Sequence, residues 1–124
     1  MMKQYFDIND FFKKYYFHDS LVKNILYDGS KLVIDIELCY WKQSEYNAYD
    51  EEIRDIKLIF ENVLNFNFES ENNKIDNDII LKFSIVENEK NNGISLIEAV
   101  LEGGKDIKII KFRTDSVTLC FDCI

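Results

Sequence analysis

Proline is absent from this 124-residue chain, and glycine occurs only four times. That scarcity excludes Pro-rich or Gly/Ser-rich linkers and collagen-like repeats. The four glycines, Gly29, Gly93, Gly103 and Gly104, fall where periodic segments end and act as punctuation. Histidine and tryptophan occur once each, and cysteine three times. Cys39, Cys120 and Cys123 are an odd set, which fits reduced thiols better than a disulfide framework.

Long apolar runs are missing as well, and none approaches membrane-spanning length. The first residues, MMKQYFDINDFF, lack the uninterrupted apolar stretch of a signal peptide, because Asp7, Asn9 and Asp10 break it. The expectation is a cytoplasmic chain. Positive charge is also short: 15 Lys and Arg stand against 23 Asp and Glu, for a net charge of −8. Phosphate backbones and anionic membrane surfaces are bound largely through Lys and Arg, so this balance argues against both as partners. A basic protein partner would be steered toward such a surface.

What the chain does have is a globular balance, with 47% hydrophobic, 31% charged and 15% aromatic residues. Its length suits a single domain over residues 1–124 with one core. Residues 5–17, YFDINDFFKKYYF, predict a short helix capped by Asn9 or Asp10, with Phe11, Phe12, Tyr15 and Tyr16 forming an aromatic face. From Leu21 the period changes to two. LVKNILY and KLVIDIEL flank Asp28-Gly29, a strong hairpin signal, and Leu32, Ile34, Ile36 and Leu38 share one face.

DIKLIFENVLNFNFE repeats the alternation with a break near Asn62, although Ile56, Ile59, Phe60 and Val63 would also suit a helix. After a polar loop over 69–78, IILKFSIV reads as strand, with a turn over 89–93. ISLIEAVLE fits either strand or helix, while IKIIKF and VTLCFDCI fit strands. The fold class predicted is mainly β: about seven antiparallel strands in a sandwich or barrel-like sheet, preceded by one short N-terminal helix.

His18, Asp19 and Ser20 have the composition of a hydrolytic triad but not its spacing. In such a triad the histidine bonds the nucleophile through one ring nitrogen while the acid holds the other. In a strand Asp19 points away from the face shared by His18 and Ser20, and helical neighbours one and two apart do not face each other. Asp19 and Ser20 are good at bonding backbone N–H groups where a chain changes direction. The three residues therefore read as a structural junction.

Cys120-x-x-Cys123 would need two more ligands for a structural zinc, and only Cys39 and His18 remain. Three positions along a strand also send the two thiols to opposite faces. A redox Cys-x-x-Cys normally starts a helix, whereas this one sits at the end of a strand pattern, so core or surface thiols are the expectation. Asp50-Glu51-Glu52 could attract a hard cation, but no EF-hand pattern is present and solvated charge is the usual explanation. No catalytic, cofactor or metal residues are assigned.

CYWKQSEYNAYDEE is the more suggestive stretch. It gathers Tyr40, Trp41, Tyr46 and Tyr49 with Asp50 and Glu51, and Tyr and Trp are enriched at binding hot spots. These residues are candidates for contacting a partner. The plainer alternative is that the rings cap one end of the sandwich.

The run FHDSLVKNILYDGSKLVIDIE, with an aromatic-His-Asp-Ser junction, an apolar strand, an Asp-Gly turn and a second alternating strand, resembles small bacterial β-rich families of uncharacterised function. IKLIFENVLNFNFE, with its F-x-x-V step, is similar to them too. Some relatives of that kind are associated with immunity proteins of polymorphic toxin systems. The resemblance implies a structural corner at His-Asp-Ser and no catalytic residues. The expected function is a non-catalytic protein-binding domain, an immunity-type inhibitor of a basic toxin partner. The alternative is a small-ligand protein or enzyme whose site joins His18 to residues distant in sequence.

Overall fold

The computed structural model describes residues 2–70, 74–91 and 94–123. Nine strands form one antiparallel sheet: β1 (Met2–Asp7), β2 (Leu21–Tyr27), β3 (Leu32–Cys39), β4 (Ile53–Phe60), β5 (Leu64–Glu69), β6 (Asp78–Asn91), β7 (Ile94–Gly103), β8 (Asp106–Thr114) and β9 (Ser116–Phe121). Helix α1 (Ile8–Lys14) follows β1, and a 3-10 turn spans Tyr40–Lys42. The sheet order is β1-β9-β4-β3-β2-β6-β7-β8-β5. The sheet is open, with β1 and β5 at its edges rather than closed on each other.

β2 and β6 pair only at Leu21↔Ile79 and Val22↔Asp78, and there the sheet turns a corner. The two halves then face each other. Phe60 of β4 meets Phe112 of β8 with ring centroids 4.9 Å apart, and Tyr27 of β2 stacks on Phe66 of β5 at 4.1 Å. Alternation supplies the core: Leu32, Ile34, Ile36 and Leu38 are buried from one half, and Ile97, Ala99, Leu101, Ile110 and Phe112 from the other. Asp28 holds the hairpin turn by accepting from the N–H groups of Ser30 (3.0 Å) and Lys31 (2.7 Å), and Gly29 takes φ +99°.

Several expectations change. Among the described residues there are nine strands rather than about seven. The N-terminal helix does not precede the sheet: residues 2–7 are strand, paired along β9 from Met2↔Phe121 to Asp7↔Ser116. The helix is shorter than 5–17, and Asp7 caps it by accepting from Asn9 N–H at 2.9 Å. The break expected near Asn62 in 55–69 is present: Asn62 adopts φ +54° and separates β4 from β5, with no helix between them. ISLIEAVLE is strand, since pairing with both β6 and β8 overrides its helical propensity. β6 runs through Asn91 where a turn beginning at Glu89 was expected; the rest of that turn, 92–93, lies outside the described residues, as does 71–73 of the polar loop.

Helix α1 closes one end of the folded sheet with aromatic rings. Phe11 lies 5.5 Å from Phe17, Phe12 and Phe17 each lie 5.1 Å from Phe83, and Tyr15 lies 6.4 Å from Phe121. Seven residues cannot hold a helix in isolation, so this packing maintains it. Farther along the sheet, Lys108 of β8 pairs with Asp78 of β6, and both side chains are buried. The pair reaches across β7 at Gly103, where a Cβ would lie within 2.7 Å of three Asp78 carboxyl atoms.

The thiols of β9 also depart from expectation. The strand ends at Phe121, and Asp122 at φ +53° turns the chain back. Cys120 and Cys123, expected to diverge, instead meet, with Cα atoms 5.8 Å apart, a separation that a disulfide spans. Strand alternation does not carry through a left-handed residue.

Candidate functional site

The corner that follows α1 is built on backbone pairing. Asp19 N–H donates to the Ile80 carbonyl (2.9 Å) and Ile80 N–H donates to the Ser20 carbonyl (2.8 Å), which extends the β2–β6 register by one step. Ser20 N–H donates to the Phe17 carbonyl at 3.0 Å. Between them Asp19 sits at φ +73°, the left-handed region that short polar side chains tolerate best after glycine. Ser20 is fully buried, and its Oγ accepts from Cys39 N–H at 2.9 Å.

The left-handed backbone changes where Asp19 points. In a strand or helix it would face away from His18; here its Oδ1 lies 3.3 Å from His18 Nδ1. Its Oδ2 accepts from Lys42 Nζ at 2.8 Å, and Lys42 also donates to the His18 carbonyl at 3.2 Å. The hydrogen bond from Lys42, aided by His18, holds the Asp19 carboxyl below its usual range. The same bond holds the Lys42 ammonium above its own. So Asp19 does serve His18, whereas the Ser20 hydroxyl is occupied with the backbone of β3.

Lys42 arrives here because β3 ends in the 3-10 turn. Gln43, also buried, clamps that turn onto the segment after α1. Its amide donates to the carbonyls of Tyr16 (2.6 Å) and Cys39 (3.0 Å) and accepts from Tyr16 N–H (2.8 Å). The clamp gathers three rings around Lys42. Its Nζ is 5.2 Å from the Trp41 ring and 5.6 Å from the Tyr16 ring, and Tyr16 lies 6.1 Å from His18. Trp41 is 50% exposed and Tyr16 56%.

The remaining loop residues separate by burial. Tyr40 is core: it packs edge-on against Tyr46 (6.1 Å) and Phe121 (6.0 Å), with the Arg54 guanidinium 5.1 Å above its ring. Burial, with Glu45 nearby, raises the Tyr40 hydroxyl above its ordinary range. Tyr46 packs half-buried against the core. Asn47 and Asp50 tie off a tight turn that leaves Tyr49 at its tip, 99% exposed. Tyr49, Asp50 and Glu51 line an open cavity of about 260 Å³ with Arg54 and Asp122, and Arg54 Nη2 pairs with Asp122 Oδ2 at 3.0 Å.

The two stretches singled out in the sequence thus adjoin through Lys42. Sequence reasoning missed Tyr16, Lys42, Gln43 and Arg54 as parts of this face. The only local hint was Lys42 beside the single tryptophan. Among the described residues there is no group of three or more His, Cys, Asp or Glu placed to hold a metal ion, and no helix long and apolar enough to cross a membrane.

Fold and surface together define a mainly β protein on an open antiparallel sheet, with exposed rings around Lys42 and an exposed Tyr49 beside Asp50 and Glu51. No protein-family model, no curated protein and no solved structure matches the chain.

Proposed function

We propose that this is a non-catalytic binding protein, and that the face formed by Tyr16, His18, Trp41, Tyr49, Asp50 and Glu51 receives a basic protein partner in the manner of the immunity proteins its FHDS run resembles. The observation that carries this reading is the exposure of Tyr16 and Trp41 around Lys42, and of Tyr49 beside Asp50 and Glu51, among carboxylates that Lys42 and Arg54 only partly offset. Large rings with few rotatable bonds bind at low entropic cost, and neighbouring carboxylates favour a Lys- or Arg-bearing surface.

The His18–Asp19 pair is the one observation favouring a His18-centred small-ligand or enzymatic site. Against it, His18 stands half-exposed on an outer corner, and the adjacent hydroxyl is committed to Cys39 N–H.

The test is co-purification with the product of a neighbouring gene, followed by isothermal titration of any protein captured. Trp41→Ala and Tyr49→Ala should each weaken binding by about 30-fold, the scale of a hot-spot residue, and added salt should weaken it further. Unchanged affinity in the double variant would remove the proposal. An activity abolished by His18→Ala would replace it with the second reading.

A further inference from the structure

The two cysteines of the last turn have no part in the proposed binding face, yet they are wired to it. Cys120 lies on β9, flanked by Lys3 of β1 and Lys57 of β4, and is fully buried. Cys123 is half-buried and lines an open cavity of about 370 Å³ whose walls include Lys23, Lys57, Asp35 and Asp55. The Cα separation of 5.8 Å falls inside the range a disulfide spans. Only one of the two sulfurs can therefore meet a reagent from solvent, and the other is held ready behind it. Only two residues intervene, so closing the bridge restricts the unfolded chain far less than a long loop would, which suits reversible pairing.

Asp122 lies inside the ring that the bridge closes. It holds φ +53°, its N–H donates to the Asp55 carbonyl at 2.8 Å, and its carboxylate accepts from Arg54 at 3.0 Å. Arg54 is thereby laid over the Phe121 ring, 4.2 Å from its centroid, at the edge of the cavity that Tyr49, Asp50 and Glu51 share.

We propose that Cys120 and Cys123 form a reversible thiol–disulfide site, with Cys123 as the entry thiol and Cys120 as the resolving thiol, whose state sets the hold of Asp122 on Arg54. The oxidant is a small disulfide of the glutathione type. The Cys123 thiolate attacks one of its sulfurs, forming a mixed disulfide and releasing one glutathione thiolate. The Cys120 thiolate then attacks the Cys123 sulfur and releases the second. Two protein thiols lose two electrons and two protons, and one oxidised glutathione becomes two reduced ones. With the bridge closed, the left-handed Asp122 is held and Arg54 is kept from Asp50 and Glu51. With it open, the ring no longer restrains Asp122, and its carboxylate can turn away and release Arg54 toward those carboxylates. The effect on a partner rests on the proposed function; the thiol chemistry does not.

The experiment equilibrates the whole protein in glutathione buffers of graded ratio, alkylates free thiols and maps them by mass spectrometry. Nitrogen-15 NMR of the Arg54 side chain is recorded in parallel. Cys120 and Cys123 should convert together, passing from about a tenth to nine-tenths oxidised over a roughly 100-fold change in oxidised over squared reduced glutathione, while Cys39 stays alkylated. Cys120→Ser should accumulate glutathione on Cys123, and Cys123→Ser should leave Cys120 unmodified. The Arg54 signal should move with oxidation in the native protein and stay still in the double serine variant. Alkylation of both thiols at every ratio, glutathione lodging first on Cys120, or an Arg54 signal indifferent to oxidation would each overturn the proposal. None of these readouts involves the partner, so they succeed or fail independently of the binding titration.

Discussion

Replacing Lys108 by methionine asks what the buried ion pair contributes when its cation is removed and its volume is nearly kept. Both side chains are enclosed, at 4% and 2% exposure, so the Asp78 carboxylate cannot turn to water. Among the described residues it would keep the Asp76 N–H at 3.0 Å from Oδ1, and it would face Asp106, whose Oδ2 lies 4.0 Å from Lys108 Nζ in the native protein. Breaking a buried pair from one side costs about 3–5 kcal/mol, because an uncompensated charge is left in a poorly polarisable site. That is about a fifth or more of the total stability of a typical domain. At this chain length roughly 4 °C of melting temperature corresponds to 1 kcal/mol, so the midpoint should fall by about 12–20 °C.

Replacing both partners, as Asp78→Leu with Lys108→Met, removes the charges together and should recover most of the loss, to within about 1 kcal/mol of the native protein. Urea unfolding followed by circular dichroism measures both variants, with the slope m checked for constancy. A single variant that loses under about 1 kcal/mol, or a double variant as unstable as the single, would refute the reasoning.

Ser20→Ala removes the acceptor for the Cys39 N–H in a fully buried corner and should cost about 1–3 kcal/mol in urea unfolding, while His18→Ala, on the exposed side of that corner, should stay within about 0.5 kcal/mol. Tyr15 bears on alkaline stability: burial first, then the neighbouring Glu45 that accepts its hydroxyl hydrogen bond at 3.1 Å, pushes its ionisation above the ordinary tyrosine range. The folded chain thus keeps a proton that the unfolded chain gives up near pH ~10, so stability should fall as pH rises past that value. Urea midpoints across that range should decline more gently in Tyr15→Phe than in the native protein; an equal decline would show that the buried hydroxyl is not the cause.

Strand content was readable because alternation is local: Leu32 to Leu38 and Ile110 to Phe112 announce a buried face whatever lies opposite. The Asp28-Gly29 turn was readable for the same reason. β1 was not, since Lys3 to Phe6 alternate too briefly to stand out beside the aromatic helix that follows, and their partner strand lies at the other end of the chain. Within the candidate site, Trp41 and Tyr49 were visible as large polar-tipped rings in a polar stretch. Tyr40, one position away, proved to be core, because the 3-10 turn rotates it inward against Phe121.

The chain alone determined the class, a mainly β domain with a pronounced acidic balance, because composition and period-two patterning act residue by residue. Tertiary structure decided the rest. It placed Lys42 on Asp19, Asp78 on Lys108 across a glycine, and Cys123 against Cys120. Each of these meetings depends on a strand register or on a single left-handed residue, and neither is encoded in the identity of the side chains that meet. Charges and thiols act over a few ångströms, so their partners are set by which strands become neighbours, and that is a property of the whole sheet.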